Sequence, residues 1–472
     1  MGAGDRSFNS MGNLPLCLFG FACIRAWDDV AFTHFASLFP SQGWLGEDFF
    51  MLAMVAVFAP LAIFARRVAP LHGKTWPVPV ATRALVTSVL CDIVANLVPG
   101  LEGPLFAAEV CLAGVGAALS ILLWAELQSC FDPFHVILYI SGSFLLGGIV
   151  GWLVVGMDAV QAAFAKLMLP LLSAVCLKRG YDYVAEGDLP KQSWGPMRFP
   201  WGLVVVLGIY QFIFGLHPAA DIGAVNPSVW GTIIASAALF FGTFFLSQWF
   251  DVAFVYRTPF VLMVCGLLIT LLTFSASNTV ASLLISTAYT LMFLVLTIVL
   301  CDISHRYGIS VLFLCGIQEI VTVSIVGGDF VSDAMSAGVI PLTMSDTTVV
   351  VGLTILVVVA TVALLFERSS SRDWGVAFFG ADRALTNVED DRHQLRCNEI
   401  ADRCRLSPRE REVFLRLTGA ENFTTIADEL CIAPGTLKSH SRRIYQKLGV
   451  HSRKEMLELL DSVSGAAADD NK

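Results

Sequence analysis

The sequence predicts an all-α protein in two parts. The first is a polytopic transmembrane helix bundle of twelve spans in a 6+6 plan, and the second is a small four-helix C-terminal domain. Three observations carry the prediction. Only 15% of the 472 residues are charged and 56% are hydrophobic, whereas a soluble domain carries about a quarter charged residues. The shortage lies in the first 366 residues, where apolar runs follow one another. The Lys and Arg of the loops in that region fall in alternate loops, and a charged amphipathic pattern appears only after residue 405.

A span needs about 20 mostly apolar residues. Twelve such runs lie near 14–38, 47–65, 81–99, 104–127, 133–155, 158–177, 200–217, 228–249, 258–274, 277–301, 308–326 and 347–366. Helices are expected because backbone groups in lipid must pair within their own segment. Leu14–Phe39, preceded by one basic residue, Arg6, reads as a span that stays rather than a removed signal peptide. The 12 cysteines are scattered through apolar runs without CxxC or zinc spacing. They read as small buried hydrophobes, so no metal, cofactor or disulfide is expected.

Orientation follows the basic residues. Arg66, Arg67 and Lys74 follow span two; Lys178, Arg179, Lys191 and Arg198 follow span six; Arg257 follows span eight and Arg306 span ten. The alternate loops, 39–46, 100–103, 156–157, 218–227, 275–276 and 327–346, hold no Lys or Arg. Both termini are therefore expected in the cytoplasm of a multi-pass plasma- or inner-membrane protein. The long loop 178–199 divides the spans six and six. This layout resembles the major facilitator superfamily, in which two six-helix halves close around a cavity. That family carries a Gly-x-x-x-Asp-x-x-Gly-Arg-Arg type signature after span two. Here the loop reads ARRVAPLHGKTWP, with the basic pair but not the Gly/Asp frame. A transporter-like fold reused as a sensor fits this loss.

Charges inside spans are costly and often mark function. Arg25 stands about 16 Å of helix beyond Leu14. Asp28 and Asp29 follow at i+3 and i+4, on the same helix face. Two readings stay open: Arg25 faces a cavity and takes an anionic or carbonyl-bearing ligand, or the three residues neutralise one another. Asp92 and Glu109 complete the candidate membrane site with Arg25 and Asp28. Glu319 reads as a hydrogen-bond partner, and Lys166 as a counter-charge for one of these acids. Glu126 and Asp251, near helix ends, read as solvated.

Residues 1–366 thus form the sensor or transporter-like domain, 367–404 a cytoplasmic linker with a short helix near 391–404, 405–463 a folded module and 464–472 a disordered tail. In the module, Ser407, Pro408 and Glu410 form a helix start with a capping box. Helix one turns Val413, Phe414 and Leu417 inward. Helix two begins at Thr424 or Thr425, with Ile426, Ala427 and Leu430 inside. Helix three runs from Thr436 to Leu448 with Leu437, His440, Ile444 and Leu448 as its buried stripe, and Gly449 ends it. Helix four starts at Ser452, with Met456, Leu459 and Leu460 packing back. The net charge is −9, yet Pro434–Lys454 holds six basic residues, Lys438, Arg442, Arg443, Lys447, Arg453 and Lys454, and no acidic one. Hydroxyls at Thr436, Ser439 and Ser441 flank them. A positive stripe on the second helix of a helix-turn-helix suits the major groove.

The segment resembles the LuxR-type (GerE-like) helix-turn-helix domain. The matching residues are LSPREREV at 406–413, IADEL at 426–430, GTLKSH at 435–440, RIYQKLGV at 443–450 and SR at 452–453. The resemblance implies promoter DNA bound by helix three, usually as a homodimer. Lys438, Ser439 and Arg442 would approach bases, and Thr436, Arg443 and Lys447 phosphates. Glu410 matches a structural acid of the family. Arg416 stands for a usually apolar residue and Ala420 for a usual Gly. The whole layout resembles membrane-anchored LuxR-type regulators.

Phosphate-binding Gly loops, nucleophile elbows, HExxH and kinase signatures are absent from the sequence. The expected function is therefore non-enzymatic: a one-component regulator that senses a small molecule through the bundle, contacts lipid and binds double-stranded DNA. The alternative is a secondary transporter with an autoregulatory DNA-binding domain.

Overall fold

The computed structural model describes residues 14–31, 43–98, 100–131, 133–182, 201–217, 227–246, 252–273, 279–336, 406–418 and 434–450, with a few single residues besides. Among the described residues there are helices and no strands. The chain divides into two units, Met1–Phe379 and Gly380–Lys472.

The first unit runs α1 (Leu14–Val30), α2 (Gly43–Ile63), a one-turn α3 (Ala65–Val68), α4 (Pro77–Leu97), α5 (Glu102–Gln128), α6 (Pro133–Val155) and α7 (Ala159–Tyr181). It continues through α8 (Trp201–Leu216), α9 (Pro227–Leu246), α10 (Val252–Thr273), α11 (Thr279–Tyr307), α12 (Val311–Ile320) and α13 (Val323–Ser336). Helices thus stand at eleven of the twelve predicted positions. Among the described residues, seven helical stretches are long and apolar enough to cross a membrane: Pro77–Leu97, Glu102–Gln128, Phe134–Val155, Ala159–Tyr181, Pro227–Phe245, Thr279–His305 and Val311–Met335. The twelfth position, 347–366, lies outside the described residues but for Gly352.

Local chemistry sets the helix starts. Pro77, Pro133 and Pro227 open helices, where a missing N–H leaves no bond unmade. The Asp158 carboxylate caps α7, accepting from Val160 N–H at 3.0 Å and Gln161 N–H at 2.9 Å. Hydroxyls inside spans fold back on their own helix, as when Ser143 donates to the Tyr139 carbonyl at 2.6 Å. The buried Trp124 indole N–H donates across helices to the Ser173 hydroxyl at 2.8 Å.

Several boundaries differ from the hydropathy reading. Helix α10 begins at Val252, so Arg257, expected in a loop, lies in its second turn and is exposed. The eleventh span is broken and longer than expected, so residues 327–336, expected in a loop, are helical. Backbone pairing continues through polar residues at a helix end, where hydropathy alone loses the signal. The break falls at Val321–Thr322. Thr322 N–H bonds Glu319 carbonyl at 3.2 Å, Val321 N–H bonds Gln318 carbonyl at 3.2 Å, and the Thr322 hydroxyl also turns back to Glu319. These tighter i→i−3 bonds interrupt the α ladder.

Glu126, expected to be solvated, is 1% exposed. Its carboxylate accepts from Leu71 N–H at 2.9 and 3.0 Å and from His72 N–H at 2.8 Å. The loop after α3 turns inward with donors that its own backbone leaves unpaired, and the carboxylate satisfies them.

Helix α1 packs on α6 and α7, α4 on α5, and α11 on α9 and α10; the two sets of helices meet through α2 with α12 and α6 with α9. Small residues permit these approaches. A Cβ on Gly114 of α5 would lie 2.6 Å from Ala53 Cβ and 2.9 Å from its backbone carbon. A Gly114→Leu substitution is therefore expected to destabilise by about 1–3 kcal/mol through overpacking. Gly73→Ala, with nothing within 4 Å, is expected to be neutral. Thermal stability of detergent-purified protein, read by size-exclusion fluorescence, checks both.

Candidate functional site

The second unit builds one face for contact. Its first helix here, α14 (Pro408–Leu417), begins as expected: the Ser407 hydroxyl accepts from Glu410 N–H at 3.3 Å, and Glu410 Oε2 accepts from Ser407 N–H at 2.8 Å. Val413, Phe414 and Leu417 are fully buried against Leu437 and Ile444 of α15 (Pro434–Leu448), with Leu448, Val450 and Met456. Cys397, Ile400 and Ala401, helical and upstream of 405, belong to the same core. Gly449 ends α15 at φ +70°, the left-handed conformation that glycine adopts without steric cost. Ser452 caps the next helix, its hydroxyl accepting from Glu455 N–H at 3.1 Å.

Thr436, Lys438, Ser439, Arg442, Arg443 and Lys447 are all exposed along α15, so the structure brings the six predicted residues onto one helix surface. Two expectations are corrected. Ser441 is buried, and its hydroxyl donates to the Lys438 carbonyl at 3.0 Å, so it does not flank the basic face. His440 is only half-buried, because Ser441 takes the interior position beside it. Arg416 is exposed, which explains how a charge replaces the usual apolar residue. Ala420, the helix expected over 426–430, Arg453 and Lys454 lie outside the described residues.

Lys447 does more than present a charge. Its Nζ sits 2.6 Å from Glu410 Oε2, tying the far end of α15 to the first turn of α14. Glu410 is 7% exposed and Lys447 39%. The Lys447 ammonium, then the Ser407 N–H, hold the Glu410 carboxyl at about 2, below its usual 4.5. The folded pKa is depressed, so this stabilisation is complete above the unfolded value and is lost as pH falls from about 4.5 to 2. Glu410→Gln should flatten acid destabilisation in that window and lower neutral-pH stability by about 1–2 kcal/mol, the solvent around Lys447 screening the rest. Circular dichroism titration against pH, variant beside parent, checks it.

In the bundle, the four candidate membrane residues separate into two clusters. Arg25 pairs within its helix, Nη1 to Asp28 at 2.6 Å and Nη2 to Asp29 at 3.4 Å. Its guanidinium lies 4.5 Å above the Phe144 ring of α6. It also faces Tyr289 and Glu319. Asp92 and Glu109 sit elsewhere, with Lys166. Lys166 Nζ is 3.7 Å from Asp92 and donates to the Ala31 carbonyl at 3.0 Å, which confirms a counter-charge in the sixth span. The single ligand site expected from Arg25, Asp28, Asp92 and Glu109 together is therefore not formed. Helix α1 sends Arg25 toward α6, α11 and α12, while α4 holds Asp92, α5 holds Glu109 and α7 holds Lys166. Sequence reasoning missed Tyr289 and Gln211, neutral residues in apolar runs that carry no signal of their own.

Residues 404–460 match the family described as bacterial regulatory proteins, luxR family. The C-terminal module is a LuxR-type helix-turn-helix domain. Over 48 residues, 10% of this chain and 22% of the relative, it is 50% identical to the probable transcriptional regulatory protein NarL of Mycobacterium tuberculosis (strain ATCC 25618 / H37Rv). Over 51 residues, 11% of this chain and 24% of the relative, it is 37% identical to the response regulator GacA of Pseudomonas syringae pv. syringae (strain B728a). The chain spans under a quarter of the length of these curated relatives. The LuxR-type module thus shares its DNA-binding part with transcriptional regulators, joined here to a multi-pass membrane bundle.

The bundle shares its fold with solved membrane-protein structures. A bacterial homologue of the iron transporter ferroportin, crystallised in an outward-facing state, aligns with TM-score 0.52 at 12% identity, over 76% of this chain and 98% of that one. The same homologue with soaked iron aligns with TM-score 0.51 at 11% identity, over 76% and 99%.

Proposed function

We propose that this chain is a membrane-embedded one-component transcriptional regulator. A small molecule bound in the helical bundle shifts its conformation, and the LuxR-type module answers at promoter DNA. The observation that carries the reading is the exposed basic surface of α15, in a LuxR-type module on the same chain as a transporter-like bundle. The absence of Lys and Arg from every second predicted loop supports a cytoplasmic position for both termini, on the side where DNA lies. Lipid surrounds the bundle, and two copies bind a two-fold-related site. The chain carries no catalytic role. Ligand action requires unequal affinity for two states of the bundle, since equal affinity shifts nothing. Lys438, Ser439 and Arg442 contact base edges; Thr436, Arg443 and Lys447 contact phosphates.

A second reading has its own support. Likeness to nearly the full length of a ferroportin homologue favours a working transporter with an autoregulatory DNA-binding domain. Chromatin immunoprecipitation with sequencing separates the two, using the full-length protein beside a Lys438→Ala/Arg442→Ala/Arg443→Ala variant. The regulator gives discrete peaks that vanish in the variant. No peaks under any growth condition would transfer the case to transport, to be read as substrate flux in vesicles.

The residue roles make a finer prediction. In mobility-shift titrations against salt, Arg443→Ala should weaken binding to specific and random DNA alike and reduce the salt slope by about one. Lys438→Ala and Arg442→Ala should each cost about 1–3 kcal/mol on the specific site and relax sequence preference. Equal losses on both DNAs from all three changes would overturn the assignment.

A further inference from the structure

The cluster around Arg25 draws on five helices of the bundle. Helix α1 supplies Arg25, Asp28 and Asp29; α6 supplies Phe144; α8 supplies Gln211; α11 supplies Tyr289 and Phe293; and α12 supplies Glu319. Close packing sets its geometry. A Cβ on Gly147 of α6 would lie 2.7 Å from Arg25 Cβ, so that glycine lets α1 bring Arg25 over Phe144. The α12–α13 break follows Glu319 by two residues. Interrupted helices of this kind line binding cavities in transporter folds.

Polar atoms are left unsatisfied here. Gln211 is 0% exposed, and neither its amide nitrogen nor its amide oxygen has a hydrogen-bond partner. The Tyr289 hydroxyl stands beside it, outside bonding geometry. Arg25 Nε and Asp28 Oδ1 are likewise unpartnered. Buried polar groups are ordinarily satisfied, and each orphan costs about 1–3 kcal/mol. Arg25 and Asp28 keep 18% and 16% side-chain exposure while Ala26 and Trp27 between them are buried, so open space adjoins the cluster.

The chemistry selects the occupant. Three carboxyl groups, Asp28, Asp29 and Glu319, face one guanidinium. Both Nη atoms of Arg25 are already held by Asp28 and Asp29, so no bidentate grip remains for an anion. An anionic ligand, one of the readings the sequence leaves open, is therefore disfavoured. Among the described residues no group of three His, Cys, Asp or Glu is placed to hold a metal ion. The walls are aromatic instead: Phe144 to Phe293 at 5.9 Å, Phe293 to Tyr289 at 6.3 Å and Tyr289 to Phe214 at 4.9 Å between ring centroids. Ring faces attract organic cations, and a carboxylate facing them completes the pairing.

We propose that this cluster is a binding site for an organic monocation, an alkyl- or aryl-ammonium type of molecule. Its charge sits between Glu319 and the aromatic walls, and its polar substituent bonds the Gln211 amide. The assignment rests on the regulator reading only for its biological role; binding itself is independent of DNA.

The test is scintillation-proximity binding of tritiated tetraphenylphosphonium and of benzyltrimethylammonium to full-length protein in lipid nanodiscs, without DNA. Saturable binding is expected, displaced by unlabelled cation but not by benzoate or by neopentylbenzene, the neutral isostere of benzyltrimethylammonium. Glu319→Gln, monodisperse by size exclusion, should weaken it by about tenfold or more. The isostere comparison uses the parent protein alone, so it decides even if a variant fails to fold. Lack of saturable binding of either cation up to about 1 mM would overturn the proposal, as would equal displacement by the neutral isostere or by benzoate. Displacement by micromolar ferrous or manganous ion would also overturn it and assign the site to a metal. Promoter occupancy is a separate readout, so loss of one result leaves the other standing.

Discussion

Hydrocarbon offers a peptide group no hydrogen-bond partner, and most features of the bundle follow from that. Each segment must close its own backbone bonds, so the described part of the apolar first 366 residues folds as helices. Exceptions are confined to places where something else supplies a partner. The loop after α3 turns inward because the Glu126 carboxylate accepts two of its N–H groups. The α12–α13 break persists because Thr322 and Val321 close tighter bonds to Glu319 and Gln318. Side-chain hydroxyls in the spans return to carbonyls one turn back rather than face lipid.

The same constraint governs charge. A lone ion in the bundle is costly, and two groups of interior charges are each placed among opposite charges. Arg25 with Asp28 and Asp29, and Lys166 with Asp92 and Glu109, are separate solutions on different helices. The first cluster leaves buried polar atoms without partners, and a ligand would find its bonds there.

In the C-terminal module water is available, and a different interaction sets the architecture. Glu410 closes the capping box of α14 and also receives Lys447 from the last turn of α15. One buried carboxylate thereby fixes the helix that presents the basic face. From the sequence, resemblance implies a phosphate contact for Lys447 and a structural role for Glu410. The geometry joins them, so a change at either alters the packing of the two helices.

Periodicity and composition were enough to read the all-α class, helices at eleven of the twelve span positions, the capping box, the inward faces of Val413, Phe414 and Leu417, and the exposure of the basic residues on α15. These are local properties: a helix start, an apolar length and an amphipathic face are written within about twenty residues. The tertiary structure decided which distant residues meet. Arg25 joins Tyr289 and Glu319 rather than Asp92 and Glu109, Glu126 turns to a loop 55 residues away, and Lys447 reaches Glu410 37 residues upstream. A charged residue's helix position is legible in one sequence, but its partner depends on how helices cross. Here those crossings are set by glycines such as Gly114 and Gly147, whose role appears only once a second helix lies against them.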